Sequence, residues 1–182
     1  MTTALLIIDV QDGLFHKSHP IYRSGQLLAN LNALIERARL AGTAVIFIQH
    51  ANKQLVPGTP AWQIHADLAR SPGDLLIQKE HASALLKTAL PAELEARGIR
   101  TLVVSGLVTH GCVKATCEDA LSHGYRVILA ADGHSSYSKD GASLIDEWNA
   151  KLADMGAAVL PAADIDFTNP FHIPAPKRSE RE

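Results

Sequence analysis

Residues 101–120, TLVVSGLVTHGCVKATCEDA, decide how this chain is built. The stretch opens on an apolar, β-branched run (Leu102, Val103, Val104) of the length expected for a strand buried in a parallel sheet. Gly106 is expected to end that strand, and a turn of small residues (Thr109, Gly111) leads to Cys112. From there the spacing turns helical, with Val113, Thr116, Ala120 and Leu121 on one face. This puts Cys112 at a strand–turn–helix junction, in the expected first turn of a helix. Unpaired amides and the positive end of the helix dipole favour an anion there. A thiol so placed has its pKa lowered toward reactivity, and the same amides suit the oxyanion formed when sulfur attacks a carbonyl. A free cysteine is equally at home as a small buried hydrophobe. The stretch by itself leaves both readings of Cys112 open.

Working outward, the same alternation recurs on both sides. Short apolar runs fall at 4–8, 43–48, 74–78, 125–131 and 157–160. Helical periodicity spans Tyr22 to Ala41 and Asp140 to Met155, and a short helix is expected from Pro91 to Arg97 between its proline start and the Gly98 stop. The segment from Ala51 to Gly73 carries three prolines and two glycines, with a helical turn expected over Trp62 to Leu68. Loops of this length often serve as lids or binding loops. Strands alternating with helices predict an α/β fold: a three-layer, doubly wound, Rossmann-like parallel sheet of about six strands with helices on both faces.

The totals suit one domain over residues 1–182, with a proline-rich tail over 161–182 whose last residues are expected to fray. Apolar content of 47%, charged content of 20% and a net charge of −2 fit a soluble globular protein. They give neither nucleic acid nor a membrane surface a basic patch to bind. The N-terminal run MTTALLIIDVQD lacks a basic leader and a cleavage site, and no apolar run reaches the ~20 residues of a membrane span. Cys112 and Cys117 diverge on one helix, so no disulfide joins them. These features read as a cytoplasmic protein with reduced thiols.

In a doubly wound sheet, ligands bind beyond the carboxyl ends of the strands. Three chemically complementary residues arrive at that edge: Asp9, Lys79 and Cys112. Asp9 is a candidate base for the thiol if burial raises its pKa, and Lys79 a candidate cation to steady the thiolate and the carboxylate. Taken singly, each reads first as an ordinary solvated loop residue, as acids and amines at strand ends frequently are.

Four segments in order resemble the isochorismatase-like cysteine hydrolases, which include nicotinamidases, N-carbamoylsarcosine amidohydrolases and ureidoacrylate-type amidohydrolases. They are IIDVQ with Asp9, QKEHASAL with Lys79, GLVTHGCV with Gly106, Thr109, Cys112 and Val113, and AADGHSS from Ala130 to Ser136. The resemblance implies an Asp9–Lys79–Cys112 triad that cleaves the C–N bond of a small amide or carbamoyl compound through a thioester. It also implies a non-proline cis peptide, placed at Val108–Thr109, that turns the backbone amides of Val108, Thr109 and Cys112 into an oxyanion hole. A homodimer or higher homo-oligomer is usual in such proteins, and the apolar tail residues Phe167, Phe171 and Ile173 are candidates to reach a neighbour.

The chain departs from the nicotinamidase branch, whose metal site after the second strand uses an Asp-x-His. Here the sequence is QHANK, with Gln49, His50 and Asn52, and His65 lies too far along to complete a chelate. No metal or other cofactor is expected, and His50 is expected to be a pocket residue, a neighbour of the triad, or a structural histidine. His110 is expected to diverge from the thiol, and Cys117 to belong to the core. Phe15, Trp62, Leu107, Val108 and Tyr137 are the candidate pocket residues, Trp62 being equally suited to a subunit interface. Two other readings stand beside the amidohydrolase: an isochorismatase-type vinyl ether hydrolase, whose activity would survive Cys112→Ala, and a non-catalytic small-molecule-binding protein of the same fold.

Overall fold

The structure is a computed structural model that describes residues 2–137 and 139–169. Six strands form one sheet: β1 (Thr2–Ile8), β2 (Ala44–His50), β3 (Leu75–Lys79), β4 (Ile99–Leu107), β5 (Arg126–Ser135) and β6 (Ala158–Leu160). Every neighbouring pair is parallel, and the order across the sheet is β3-β2-β1-β4-β5-β6. The helices are a single turn α1 (Asp12–Phe15), then α2 (Ser24–Leu40), α3 (Leu90–Ala96), α4 (Lys114–Ser122) and α5 (Gly141–Asp154).

The apolar runs are continuous because the central strands bury both faces. Along β1, Leu5 and Ile7 pack with α2 residues Leu27, Leu31, Leu34 and Ile35. The alternate residues Ala4, Leu6 and Ile8 pack on the other face with Leu90 and Leu94 of α3, Cys117 and Ala120 of α4, and Leu152 of α5. Cys117 is thus core, as expected. The chain reverses its direction of winding between β1 and β4, which opens a crevice beyond their carboxyl ends. The doubly wound sheet read from the sequence is the observed one.

Several local expectations give way. Strand β4 continues through Gly106 to Leu107, because Gly106 pairs with Ile8 of β1 and lets the two backbones close. Strand β5 does not stop at Asp132; it bulges and runs on to Ser135. The expected helical turn over Trp62 to Leu68 is absent, and a single 3₁₀ turn covers Pro60–Trp62 instead. Ile64 there forms an antiparallel bridge with Gln11, which holds the chain extended. The 51–73 segment is packed down rather than free: Leu55, Ile64 and Leu68 are buried in the α2-side core, and Asn32 of α2 hydrogen-bonds the backbone of Asp67 and Ala69. Phe167 is also buried in that core rather than turned toward a neighbour, while Phe171 and Ile173 lie outside the described residues. Among the described residues, no helix is long and apolar enough to cross a membrane.

Candidate active site

The centre of the crevice is built by three strand ends. Asp9 follows β1 in the left-handed conformation, φ 51°, a rare state for a residue with a side chain. Its N–H donates to Ile48 O at 3.0 Å, which ties the turn to β2. Gly106 stands opposite Ile8, where a Cβ would meet Ile8 O at 2.2 Å, so only glycine lets β4 come this close to the Asp9 turn. Lys79 ends β3 in register with His50 of β2.

Asp9 and Lys79 are each 2% exposed, and Lys79 Nζ lies 2.7 Å from Asp9 Oδ2. The ammonium also donates to His50 Nδ1 at 2.8 Å and to His81 O at 3.2 Å. These three acceptors use all three of its hydrogens. His50 must therefore accept through an unprotonated Nδ1 and carry its hydrogen on Nε2. Burial, then the neighbouring Lys79 and His81, push its pKa down to about 4, so the ring is neutral near pH 7.

Cys112 completes the group. One carboxylate oxygen of Asp9, one ring nitrogen of His50 and Cys112 Sγ lie within 4.8 Å of one another. Asp9 Oδ1 is buried and makes no hydrogen bond of ordinary geometry. Burial raises the Asp9 pKa above the usual carboxylate range, opposed by the Lys79 charge and by the hydrogens that Cys112 and Lys79 offer. The thiol behaves contrary to the expectation from its place in the chain. Burial first, and the Asp9 carboxylate second, push Cys112 up to about 12. The helix does not oppose this, because α4 begins only at Lys114 and Cys112 lies in a wide turn over Thr109–Val113, where Gly111 is non-helical. Burial and Asp9 thus hold the proton on sulfur, while the Lys79 charge favours the ionised form of both Cys112 and Asp9.

The cis peptide is Leu107–Val108, one residue before the expected position. The shift follows from β4 extending to Leu107, so that the chain leaves the sheet at that bond. Leu107 itself is fully buried among α2-side core residues and cannot line a pocket. Phe15, Trp62, Val108 and Tyr137 are partly buried against the same core. Phe15 stands against His65, ring centroids 4.3 Å apart. His110 diverges from the thiol, its Nδ1 lying 3.3 Å from Ser136 Oγ and its ring near Tyr137.

The donor set Asp9, His50 and Cys112 would suit a thiophilic cation by residue type. The Lys79 ammonium already bridges Asp9 Oδ2 and His50 Nδ1, where a cation held by those two atoms would sit, so the positive charge of this site is built in. One anchor escaped the sequence reading. Gln11 donates to His50 O at 3.1 Å and to Trp62 O at 2.8 Å, and accepts from His50 N–H at 2.9 Å. It locks the 51–73 segment to the end of β2. A glutamine two residues after a strand-end acid was the available signal, and the structure buries it fully.

Comparison with known proteins bears on the chemistry. The family model described as the isochorismatase domain matches residues 3–164. The chain is 31% identical over 189 residues to a streptothricin hydrolase of Streptomyces noursei, covering 96% of this chain and 68% of that protein. It is 31% identical over 152 residues to the maleamate amidohydrolase of Pseudomonas putida, covering 71% and 70% of the two chains. Among solved structures, an isochorismatase from Pseudomonas putida KT2440 superposes with a TM-score of 0.81 at 29% identity over 88% of each chain.

Proposed function

From the premise that this chain belongs to the isochorismatase family, we propose that it is a cysteine hydrolase that cleaves the C–N bond of a small amide or carbamoyl compound, with Cys112 as nucleophile, Asp9 as proton carrier and Lys79 as the fixed counter-charge. The names of its relatives, one a hydrolase and one an amidohydrolase, support the reaction class. The single observation that carries the mechanism is the Asp9 carboxylate: one oxygen is pinned by Lys79, the other is buried without a hydrogen-bond partner, and Cys112 Sγ lies within 4.8 Å of the carboxylate.

The chemistry follows from that arrangement. As Cys112 Sγ bonds to the amide carbon, its proton passes to Asp9 Oδ1, and the carbonyl becomes an oxyanion facing the backbone amides of the Val108–Cys112 turn. Collapse breaks the C–N bond, Asp9 gives the proton to the departing nitrogen, and a thioester remains. Water then attacks the thioester while Asp9 takes its proton. The second collapse releases the acid, and the proton returns to sulfur. Lys79 stays charged throughout and holds Asp9 in register without a hydrogen to spare for substrate. His50, kept neutral, presents an N–H rather than a charge.

The test is a panel of primary amides, lactams and carbamoyl compounds assayed for amine or ammonia release. Turnover is expected in the wild type, with none in Cys112→Ala and a covalent acyl adduct on Cys112 trapped by acid quench. Asp9→Asn is expected to lose about 10²–10⁴-fold in kcat, the usual range for a general acid–base. Hydrolysis that survives Cys112→Ala would overturn the thioester route and favour vinyl ether chemistry.

A further inference from the structure

A buried histidine behind the nucleophile turn takes no part in the chemistry above. The β4–β5 pairing steps from Val104↔Leu129 directly to Gly106↔His134, so residues 130–133 bulge out and the strand resumes beside the end of β4. Bulges re-aim the side chains that follow them. Here the bulge delivers His134, 2% exposed, between two partners. Its Nδ1 lies 2.9 Å from Thr109 Oγ1, and its Nε2 lies 2.9 Å from Asn149 Oδ1 on α5.

The direction of these hydrogen bonds is determined from the far end. Asn149 Nδ2 donates to Ala131 O at 3.1 Å, so Oδ1 faces the ring and can only accept. Nε2 must then carry the ring hydrogen, which leaves Nδ1 bare to accept from the Thr109 hydroxyl. Burial holds the ring neutral by lowering its pKa, against the opposing pull of Asn149 and Asp132. Thr109 lies three residues before Cys112 and is itself buried. It sits in the turn where the N–H groups of Gly111 and Val113 both reach back to Val108 O, at 3.0 and 3.3 Å. The relay from Ala131 through Asn149 and His134 thus ends on the segment that carries the thiol.

We propose that His134 is a positioning residue for the hydrolysis: by accepting the Thr109 hydroxyl it holds the Thr109–Val113 turn, with its thiol and backbone amides, in the geometry that acyl transfer requires. This rests on Cys112 being the nucleophile, and the test separates the two claims. The probe is p-nitrophenyl acetate with the full chain. Cys112 Sγ bonds to the acetyl carbon, the C–O bond breaks, p-nitrophenolate leaves, the thiol proton passes to Asp9, and peptide mass spectrometry maps the acetyl group.

Thr109→Val, which removes the hydroxyl at nearly constant shape, is expected to slow acylation about tenfold or more, since small misplacements at a reacting centre carry large rate costs. Thr109→Ser keeps the hydroxyl and is expected to restore most of the rate. His134→Phe should slow the reaction similarly, and the double variant should be no slower than the slower single variant. In the wild type, nitrogen NMR of the labelled ring should show Nε2 protonated and Nδ1 bare. Acylation unchanged by Thr109→Val, a Ser variant as slow as Val, or a proton found on Nδ1 would each overturn the positioning role and leave the nucleophile standing. No acetyl group on Cys112 in the wild type would remove both. If His134→Phe does not fold, the two Thr109 variants and the ring spectrum decide the matter.

Discussion

Cys112 has a carboxylate and an ammonium beside it, and they pull on its proton in opposite directions. Burial and Asp9 hold the proton on sulfur, while Lys79 favours its loss. Removing Asp9 therefore leaves the cation in charge: in Asp9→Asn the thiol pKa is expected to fall below the wild-type value of about 12, read as thiolate absorbance in a pH titration with Cys117→Ala as background. A value that stays or rises would show that the carboxylate does not hold the thiol proton. Such a variant should have the more acidic thiol and the weaker catalysis, because proton transfer through Asp9 and not a standing thiolate drives the step. His50 gives a second expectation at this scale. Its ring nitrogens should report a neutral imidazole protonated on Nε2 from pH 7 down to about 4. A ring that becomes doubly protonated near the ordinary 6.5 would break the hydrogen bond from Lys79 and contradict the site as described.

The elements meet at two close contacts that can be probed separately. Gly106→Ala would place a Cβ 2.2 Å from Ile8 O at a residue with φ 113°. Neither backbone can yield without parting β1 from β4, so a loss of about 3 kcal/mol or more is expected in urea unfolding, with acylation of Cys112 lost as the Asp9 turn moves. A loss within about 0.5 kcal/mol, the size of an ordinary surface change, would mean that the strands are not packed as closely there. Gln11 joins two other elements. Gln11→Ala removes the side-chain partner of the His50 N–H and of the His50 carbonyl and leaves the Trp62 carbonyl to Gln49 alone, a cost of about 1–3 kcal/mol for buried groups left unpaired. Much of that should appear locally, as faster tryptic cleavage after Lys53 and Arg70 in the 51–73 segment. Unchanged cleavage would place the anchoring of that segment elsewhere, for instance at Asn32.

For the molecule as a whole, the buried titratable groups make stability depend on pH with opposed signs. His50 and His134 both have folded pKa values below 6.5. As pH falls from 6.5 toward those values the unfolded chain takes up protons that the folded chain refuses, and stability is lost. Asp9 has a folded value above 3.8, so the folded chain takes its proton first and gains stability as pH falls toward 3.8. In Asp9→Asn only the histidine contribution remains. Its melting temperature, followed by calorimetry from pH 7 to 4.5, is expected to fall more steeply than that of the wild type. Parallel curves would show that Asp9 is not perturbed in the folded chain.

The amino-acid sequence by itself determined the sheet, and the reason is local. A strand buried on both faces must be apolar without interruption, so the β1, β2 and β4 runs announce themselves within a few residues. Parallel strands place their carboxyl ends on one edge, which brought Asp9, Lys79 and Cys112 to the same crevice before any distance was known. What only the tertiary structure decided depends on neighbours far away in the chain. The protonation state of Cys112 is set by its burial in the folded chain and then by Asp9, 103 positions earlier (112 − 9), and no spacing within the Thr101–Ala120 stretch carries either. Leu107 points into the α2 core because β4 runs one residue past its glycine, and that extension follows from the pairing of Leu107 with Ser135 of β5. His134 reaches Thr109 only because β5 bulges, a register step that alternating hydrophobicity does not encode. Periodicity reports which side of an element is buried; electrostatics and hydrogen bonding report who stands on the other side, and that is a property of the folded chain alone.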